Sequence, residues 1–267
     1  MKYIFYVAGM PFDGKTIEEG KSLGGSESIA YYLAKEIAGR GHEVILFSNT
    51  DRPSNCDGVT YMPIGNSTEK HPFGEVFGDY AQNVPHDVLI AQRVPGFFTR
   101  KYNSKINLWW THDLALKRFQ QGFDNQLPFI DSVLAVSEFH KKQINSVYGH
   151  KESFIKVLPN GVDTKLFENP IDPDHKIASK TMIYSSRPER GLENLVMPGG
   201  IMDKLLSFDP EIKLLVCCYD NTTQDMAPLY KQLFTRCQEL PNVELYGPQS
   251  KKNLANLMKG SWLKSCS

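Results

Sequence analysis

Residues able to do chemistry gather at three places in this chain. The first is Ser185-Ser186-Arg187-Pro188-Glu189-Arg190-Gly191-Leu192, at the end of a short apolar run. Two arginines three residues apart, at a glycine-bearing strand-to-helix turn, make a site for a doubly charged phosphate. Guanidinium stays charged and offers forked donors that match phosphate oxygens. Ion pairing with Glu189 or Glu193 is the other use of the same charges. The second place is Gly24-Gly25-Ser26-Glu27. Its glycines let backbone approach a ligand without a Cβ in the way. The N–H groups of the helix start that follows can receive anionic or hydroxyl oxygens. A flexible loop with an ordinary helix cap would read the same. The third is Trp109-Trp110-Thr111-His112-Asp113, just past an apolar strand, where side chains of an open parallel sheet face the ligand crevice. His112 there could orient a hydroxyl or stabilise developing charge, or be hydrogen-bonded structure.

Two other motifs invite assignment and are set aside. Gly9-Met10-Pro11-Phe12-Asp13-Gly14-Lys15-Thr16 fits the phosphate-loop pattern of nucleotide triphosphatases. Such a loop runs directly into a long helix. Here Ile17 to Gly25 brings three glycines and no apolar stripe, and the helix begins at Ser26. Asp172-Pro173-Asp174 has the Asp-x-Asp form of a metal site but lies in a polar linker, so it reads as a solvated turn and no metal is expected.

The elements that must position these residues alternate along the chain. Tyr3 to Ala8 is apolar throughout, as a strand covered on both faces should be. Ile29, Leu33 and Ile37 recur at helical spacing behind Ser26, the expected N-cap, and Gly39-Arg40-Gly41 ends that helix. Glu43 to Phe47 is the next strand. Further strands are expected at Val59 to Ile64, Val88 to Ala91, Ile106 to Trp110, Val133 to Val136 and Phe154 to Leu158, with a helix from Glu138 to Tyr148 capped by Ser137. Residues 51–85 show few clear elements. Pro159 to Lys180 is polar and proline-rich, and alternation then resumes: strands at Met182 to Ser185, Lys213 to Cys218 and Val243 to Tyr246, helices over Leu192 to Phe208, Met226 to Leu240 and after Ser250. The expected fold is α/β: residues 1–165 form one Rossmann-like domain, 166–180 a linker and 181–267 a second Rossmann-like domain, their parallel sheets facing across a cleft.

The 267 residues are 41% hydrophobic and 22% charged, with 30 Lys plus Arg against 30 Asp plus Glu. That balance excludes broad electrostatic capture of nucleic acid. Five cysteines without metal-ligand spacing (Cys56, Cys217, Cys218, Cys237, Cys266) suggest reduced thiols and a cytoplasmic setting. The apolar start is too short to span a membrane.

These segments, in this order, resemble glycosyltransferase family 4, retaining enzymes of the GT-B fold. The resemblance rests on Gly24-Gly25-Ser26-Glu27, Gly39-Arg40-Gly41-His42-Glu43-Val44, Thr111-His112-Asp113, Val136-Ser137-Glu138-Phe139, Asn160-Gly161-Val162-Asp163, Ser186 to Leu192 and Val243-Glu244-Leu245-Tyr246-Gly247. It implies transfer of a sugar, without metal or cofactor, from a nucleotide-diphosphate donor to a hydroxyl on a glycan, lipid or small-molecule acceptor. Gly24, Gly25, Arg187 and Arg190 would hold the donor diphosphate. His112 would sit beside the transferred sugar, Tyr246 and Gly247 would contact the base, and Asn160, Gly161 and Asp163 would lead between domains. The family's later pair of glutamates, in an E-x7-E pattern, has no counterpart after Leu257. The resemblance therefore implies an incomplete second domain, with self-association through its exposed sheet edge. Other readings are a weakly active or inactive nucleotide-binding remnant, a nucleotide-sugar epimerase sharing the fold, or a phosphate-loop NTPase at Gly9 to Thr16.

Overall fold

The computed structural model describes residues 1–218 and 224–265. The chain divides into two compact units: Met1–Glu19 with Leu23–Val162, and Gly20–Ser22 with Asp163–Ser267. Cys266 lies outside the described residues.

In the first unit the elements run β1 (Lys2–Val7), α1 (Gly14–Glu18), α2 (Gly25–Gly39), β2 (Glu43–Ser48), β3 (Ser54–Cys56), β4 (Val59–Pro63), α3 (Glu75–Asn83), β5 (His86–Gln92), β6 (Ser104–Trp110), α4 (Gln120–Gln126), β7 (Ser132–Ala135), α5 (Glu138–Tyr148) and β8 (Ile155–Val157). The strands form one sheet in the order β3-β4-β2-β1-β5-β6-β7-β8. Every pairing is parallel except that of β3 with β4. Alternate residues of β1 serve opposite faces. Phe5 and Val7 pack with Ala30, Tyr31 and Ala34 of α2; Ile4 and Tyr6 join Phe77 and Ala81 of α3 and Ile144 and Tyr148 of α5. Phe5, Phe47 and Phe77 are fully buried, and burial of each such ring stabilises the fold by roughly 1.5–3 kcal/mol.

In the second unit α6 (Pro173–Ala178), β9 (Thr181–Tyr184), α7 (Leu192–Val196), α8 (Ile201–Phe208), β10 (Lys213–Val216), α9 (Ala227–Glu239), β11 (Val243–Leu245), α10 (Lys251–Gly260) and β12 (Leu263–Ser265) follow. The parallel sheet has the order β11-β10-β9-β12. One face packs Tyr184, Leu214 and Val216 on α7 and α9. The other packs Ile183, Leu215 and Cys217 against Leu254, Leu257 and Met258 of α10. Cys217 and Cys218 fall on opposite faces. Among the described residues no helix is long and apolar enough to cross a membrane.

Several local expectations are corrected. The N-cap of α2 is Gly24, with Ser26 inside the helix and no side-chain cap. Ser26 is drawn away because its hydroxyl donates to Glu27 Oε2 (3.0 Å). The interruption that Pro198-Gly199-Gly200 left open in the helix expected over Leu192 to Phe208 divides it into two, α7 and α8. Gly200 lies so close to Met197 O that an added Cβ would stand 2.7 Å from it. Residues 51–85 hold β3, β4 and α3. Asp172 is the N-cap of α6, accepting from Asp174 N–H at 2.9 Å.

Candidate active site

The strand order places the chain's reversal point between β1 and β5. In open α/β sheets such a point, at the carboxyl ends of the strands, is where ligands bind. The segment after β1 leads to Gly24-Gly25-Ser26-Glu27, β5 ends in Gln92 followed by Arg93, and β6 leads into Thr111-His112-Asp113.

The glycine turn is built around a buried carboxylate. Glu27, 4% exposed, accepts from Met10 N–H through Oε1 (3.3 Å) and from the Ser26 hydroxyl through Oε2 (3.0 Å). Its place in the first turn of α2 suits the positive end of the helix dipole. An added Cβ at Gly24 would lie 2.2 Å from Oε2, and one at Gly9 2.1 Å from Oε1. A side chain at Gly24 would thus displace the buried Glu27 carboxylate. Gly25 is exposed, and a Cβ there would meet nothing within 4 Å.

His112 is joined to this turn through a residue that sequence reasoning missed. Gln92, 2% exposed, donates from Nε2 to Ser26 O (2.9 Å), and the same nitrogen lies 3.0 Å from His112 Nε2. The carbonyl of Ser26 can only accept, which fixes the amide orientation. His112 Nε2 must then accept the second amide proton, so the neutral ring carries its hydrogen on Nδ1. The ring packs on Trp110 at 4.7 Å between centroids. Burial first, then the Arg93 charge, pushes its pKa down to about 4. At neutral pH His112 is an uncharged hydrogen-bond donor.

Around it stands a polar frame. Arg93 pairs with Asp113 through Nε–Oδ2 (2.8 Å) and Nη2–Oδ1 (3.2 Å), and Nη1 reaches Ser26 Oγ at 3.5 Å. Arg93 holds a left-handed backbone, φ 69°, a conformation that non-glycine residues keep only where their surroundings enforce it. His140, 3% exposed, accepts from Val136 N–H at Nδ1 (3.3 Å) and donates from Nε2 to Asp113 O (2.9 Å). It is therefore the opposite tautomer, with burial holding its pKa below the usual range. The signal for Gln92-Arg93 was the one that found His112: polar residues directly past an apolar strand.

In the second unit, Arg187 and Arg190 stand on the turn after β9, which closes by Arg190 N–H donating to Arg187 O (2.9 Å). Gly191 takes φ 96° at the start of α7, a conformation open to glycine. Arg187 is half-buried, with Nε 2.7 Å from Glu189 Oε1. Tyr230 donates to Glu189 Oε2 (2.6 Å), and Tyr184 to Arg187 O (2.5 Å). This frame orients one edge of the guanidinium plane. Arg190 is exposed. After β11, Tyr246 is 42% exposed, its N–H donating to Val216 O (2.9 Å), and Gly247 has φ 64°. Asn160 and Gly161 are exposed, and Asp163 caps a 3-10 turn by accepting from Lys165 N–H (3.1 Å). The chain's division into units falls just before Asp163.

The remaining chemical clusters are committed internally. At Gly9 to Thr16, α1 runs only five residues. Thr16 donates its hydroxyl and its N–H to Asp13 Oδ1, each at 3.1 Å, and Ser54 donates to Asp13 Oδ2 at 2.8 Å. Glu18, Cys56 and Asp57 bring three ligand atoms within 4.8 Å of one another. Asp57 already accepts from Tyr31 and pairs with Lys35 (2.9 Å), and Cys56 donates to Glu18 (3.0 Å). Burial, with the Glu18 hydrogen bond, pushes the Cys56 thiol up to about 12.

The chain matches no curated protein by sequence. Its fold is similar to that of Anabaena HepE in complex with UDP-glucose, at 16% identity and TM-score 0.68, covering 99% of this chain and 73% of that one. It is also similar to the glycosyltransferase WaaG, involved in lipopolysaccharide biosynthesis, at 13% identity and TM-score 0.62, over 98% and 74%. A third likeness is to a UDP-GlcNAc 2-epimerase from Methanocaldococcus jannaschii, at 13% identity and TM-score 0.51, over 99% and 78%. The sequence profile of Glycosyltransferase Family 4 matches residues 23–166, a little over half of the chain and the stretch from the glycine turn through His112 to Asp163. By that match the chain belongs to glycosyltransferase family 4, on an α/β GT-B architecture.

Proposed function

We propose that this protein moves a sugar from a nucleotide-diphosphate donor to an acceptor hydroxyl, with retention and without a metal. The observation that supports this most is the neutral His112 held beside the Gly24–Ser26 turn at the carboxyl ends of β1, β5 and β6. A glycosidic phosphate bond breaks by building negative charge on the leaving diphosphate and positive charge on the sugar. Donors and cations placed for the first charge lower the barrier. In the first unit, the open face of Gly25 and the N-terminus of α2 supply backbone donors, and His112 supplies a ring N–H toward the sugar. In the second, Arg187 and Arg190 supply the charge that a divalent ion would otherwise bring, while Tyr246 and Gly247 receive the base. Asn160, Gly161 and Asp163 form the passage between the units. Retention is what family membership implies. HepE, crystallised with UDP-glucose, supports a uridine donor. Among the described residues no disulfide joins Cys56, Cys217, Cys218 or Cys237, which supports a cytoplasmic setting.

The test is calorimetric titration with a panel of nucleoside diphosphates, then turnover of the matching nucleotide sugars with and without acceptors. Arg187→Ala should cost about 1.5–3 kcal/mol of diphosphate affinity, the range for hydrogen bonds to charged groups. Equal affinity of the two proteins would remove Arg187 from the site. The likeness to a 2-epimerase supports a second reading, and sugar isomerisation without any acceptor would select it.

A further inference from the structure

We propose that Gln92 is a positioning residue that fixes His112 as the Nδ1–H tautomer, so that His112 acts on its ligand only as a hydrogen-bond donor. Three observations lead there. Gln92 is buried at the end of β5 and reaches both the glycine turn and His112. Its bond to Ser26 O leaves it no choice about which amide atom faces the imidazole. Among the described residues nothing bonds His112 Nδ1, so that N–H is the one the ring can offer outward.

The consequence is chemical. With Nε2 occupied as an acceptor and Nδ1 protonated, the neutral ring has no lone pair for a substrate proton. His112 cannot serve as a general base. It can donate to a sugar or phosphate oxygen, and the donation strengthens as negative charge grows there. The titratable groups facing it are Arg93, Asp113, Glu27 and His140. Asp113 is paired with Arg93, and Glu27 accepts from Met10 and Ser26, so neither carboxylate is turned to take the imidazole's proton. The tautomer follows from the bond network alone. Its role in turnover rests on the glycosyltransferase reading above.

The experiment is nitrogen-15 NMR of the histidine rings in the full chain, with His112→Gln used to assign the signal. Turnover of a UDP-sugar is measured in parallel. Wild type should show the Nδ1–H pattern at pH 7.5. Gln92→Glu presents an acceptor in place of the donor and should move the proton to Nε2. It should also lower kcat about tenfold or more, the equivalent of one lost transition-state hydrogen bond. An Nε2–H pattern in wild type overturns the proposal from the unmutated protein alone, whatever the variant does. A tautomer that switches while kcat holds overturns the positioning role. If wild type turns over no nucleotide sugar while the Nδ1–H pattern stands, the functional reading fails and the tautomer assignment survives.

Discussion

The Glu27 carboxylate fills the space that a side chain at Gly24 would need, with Oε2 only 2.2 Å from where a Cβ would stand. The two glycines of the turn therefore have different causes. Gly24→Ala should destabilise the first unit by about 1–3 kcal/mol, the cost of overpacking a filled site. Gly25→Ala meets open space and should leave stability unchanged while weakening donor binding. Urea unfolding midpoints with UDP titrations separate the two. Equal stability of both variants would show that Glu27 moves aside without cost.

Acid should weaken the fold before any carboxylate titrates. His112 has a folded pKa near 4, and burial also lowers His86 and His140 from the ordinary value near 6.5. As pH falls through 6.5 the unfolded chain takes up protons that the folded chain refuses, so stability falls until the folded groups also protonate. From His112 alone the loss between pH 7 and pH 4 is about 1–3 kcal/mol, allowing for its partial exposure. Urea midpoints across that range should decline, and less steeply in His112→Gln. A flat profile contradicts the burial assigned to these rings.

Lys15→Ala should leave UDP affinity unchanged, and ATP with magnesium should not bind. The hydroxyl that would meet magnesium in a phosphate loop is bound to Asp13, and α1 ends after five residues. Loss of nucleotide binding in Lys15→Ala would restore the phosphate-loop reading.

The thiols of Cys56, Cys217 and Cys237 should resist alkylation. Burial raises the first to about 12 and the other two to about 11. At pH 7.5 the reactive thiolate is then below about one part in a thousand. Mass spectrometry after brief iodoacetamide treatment of the folded protein should find these positions unlabelled. Rapid modification of Cys56 would place it outside the pocket formed with Gly14 and Glu18.

Much of this architecture is local. Apolar runs became β1, β2, β5 and β6 because a strand covered on both faces needs apolar residues throughout. Ser137 and Ser250 cap α5 and α10 because each hydroxyl meets a backbone N–H three residues on. His112 was legible from its place past a strand, and the arginine turn from its spacing after β9. Helix α3 escaped notice because Gly78 interrupts its stripe, and that glycine is there to admit the His71 ring, whose Nδ1 would stand 2.2 Å from an added Cβ. The sequence by itself determined which segments are strands, which residues follow them, and so which side chains gather at the carboxyl ends of the sheet. The tertiary structure alone decided that Glu27 packs against Gly9 and that Gln92 holds His112. Those pairings join different strands and turns, and the direction of a hydrogen bond depends on where both partners come to rest.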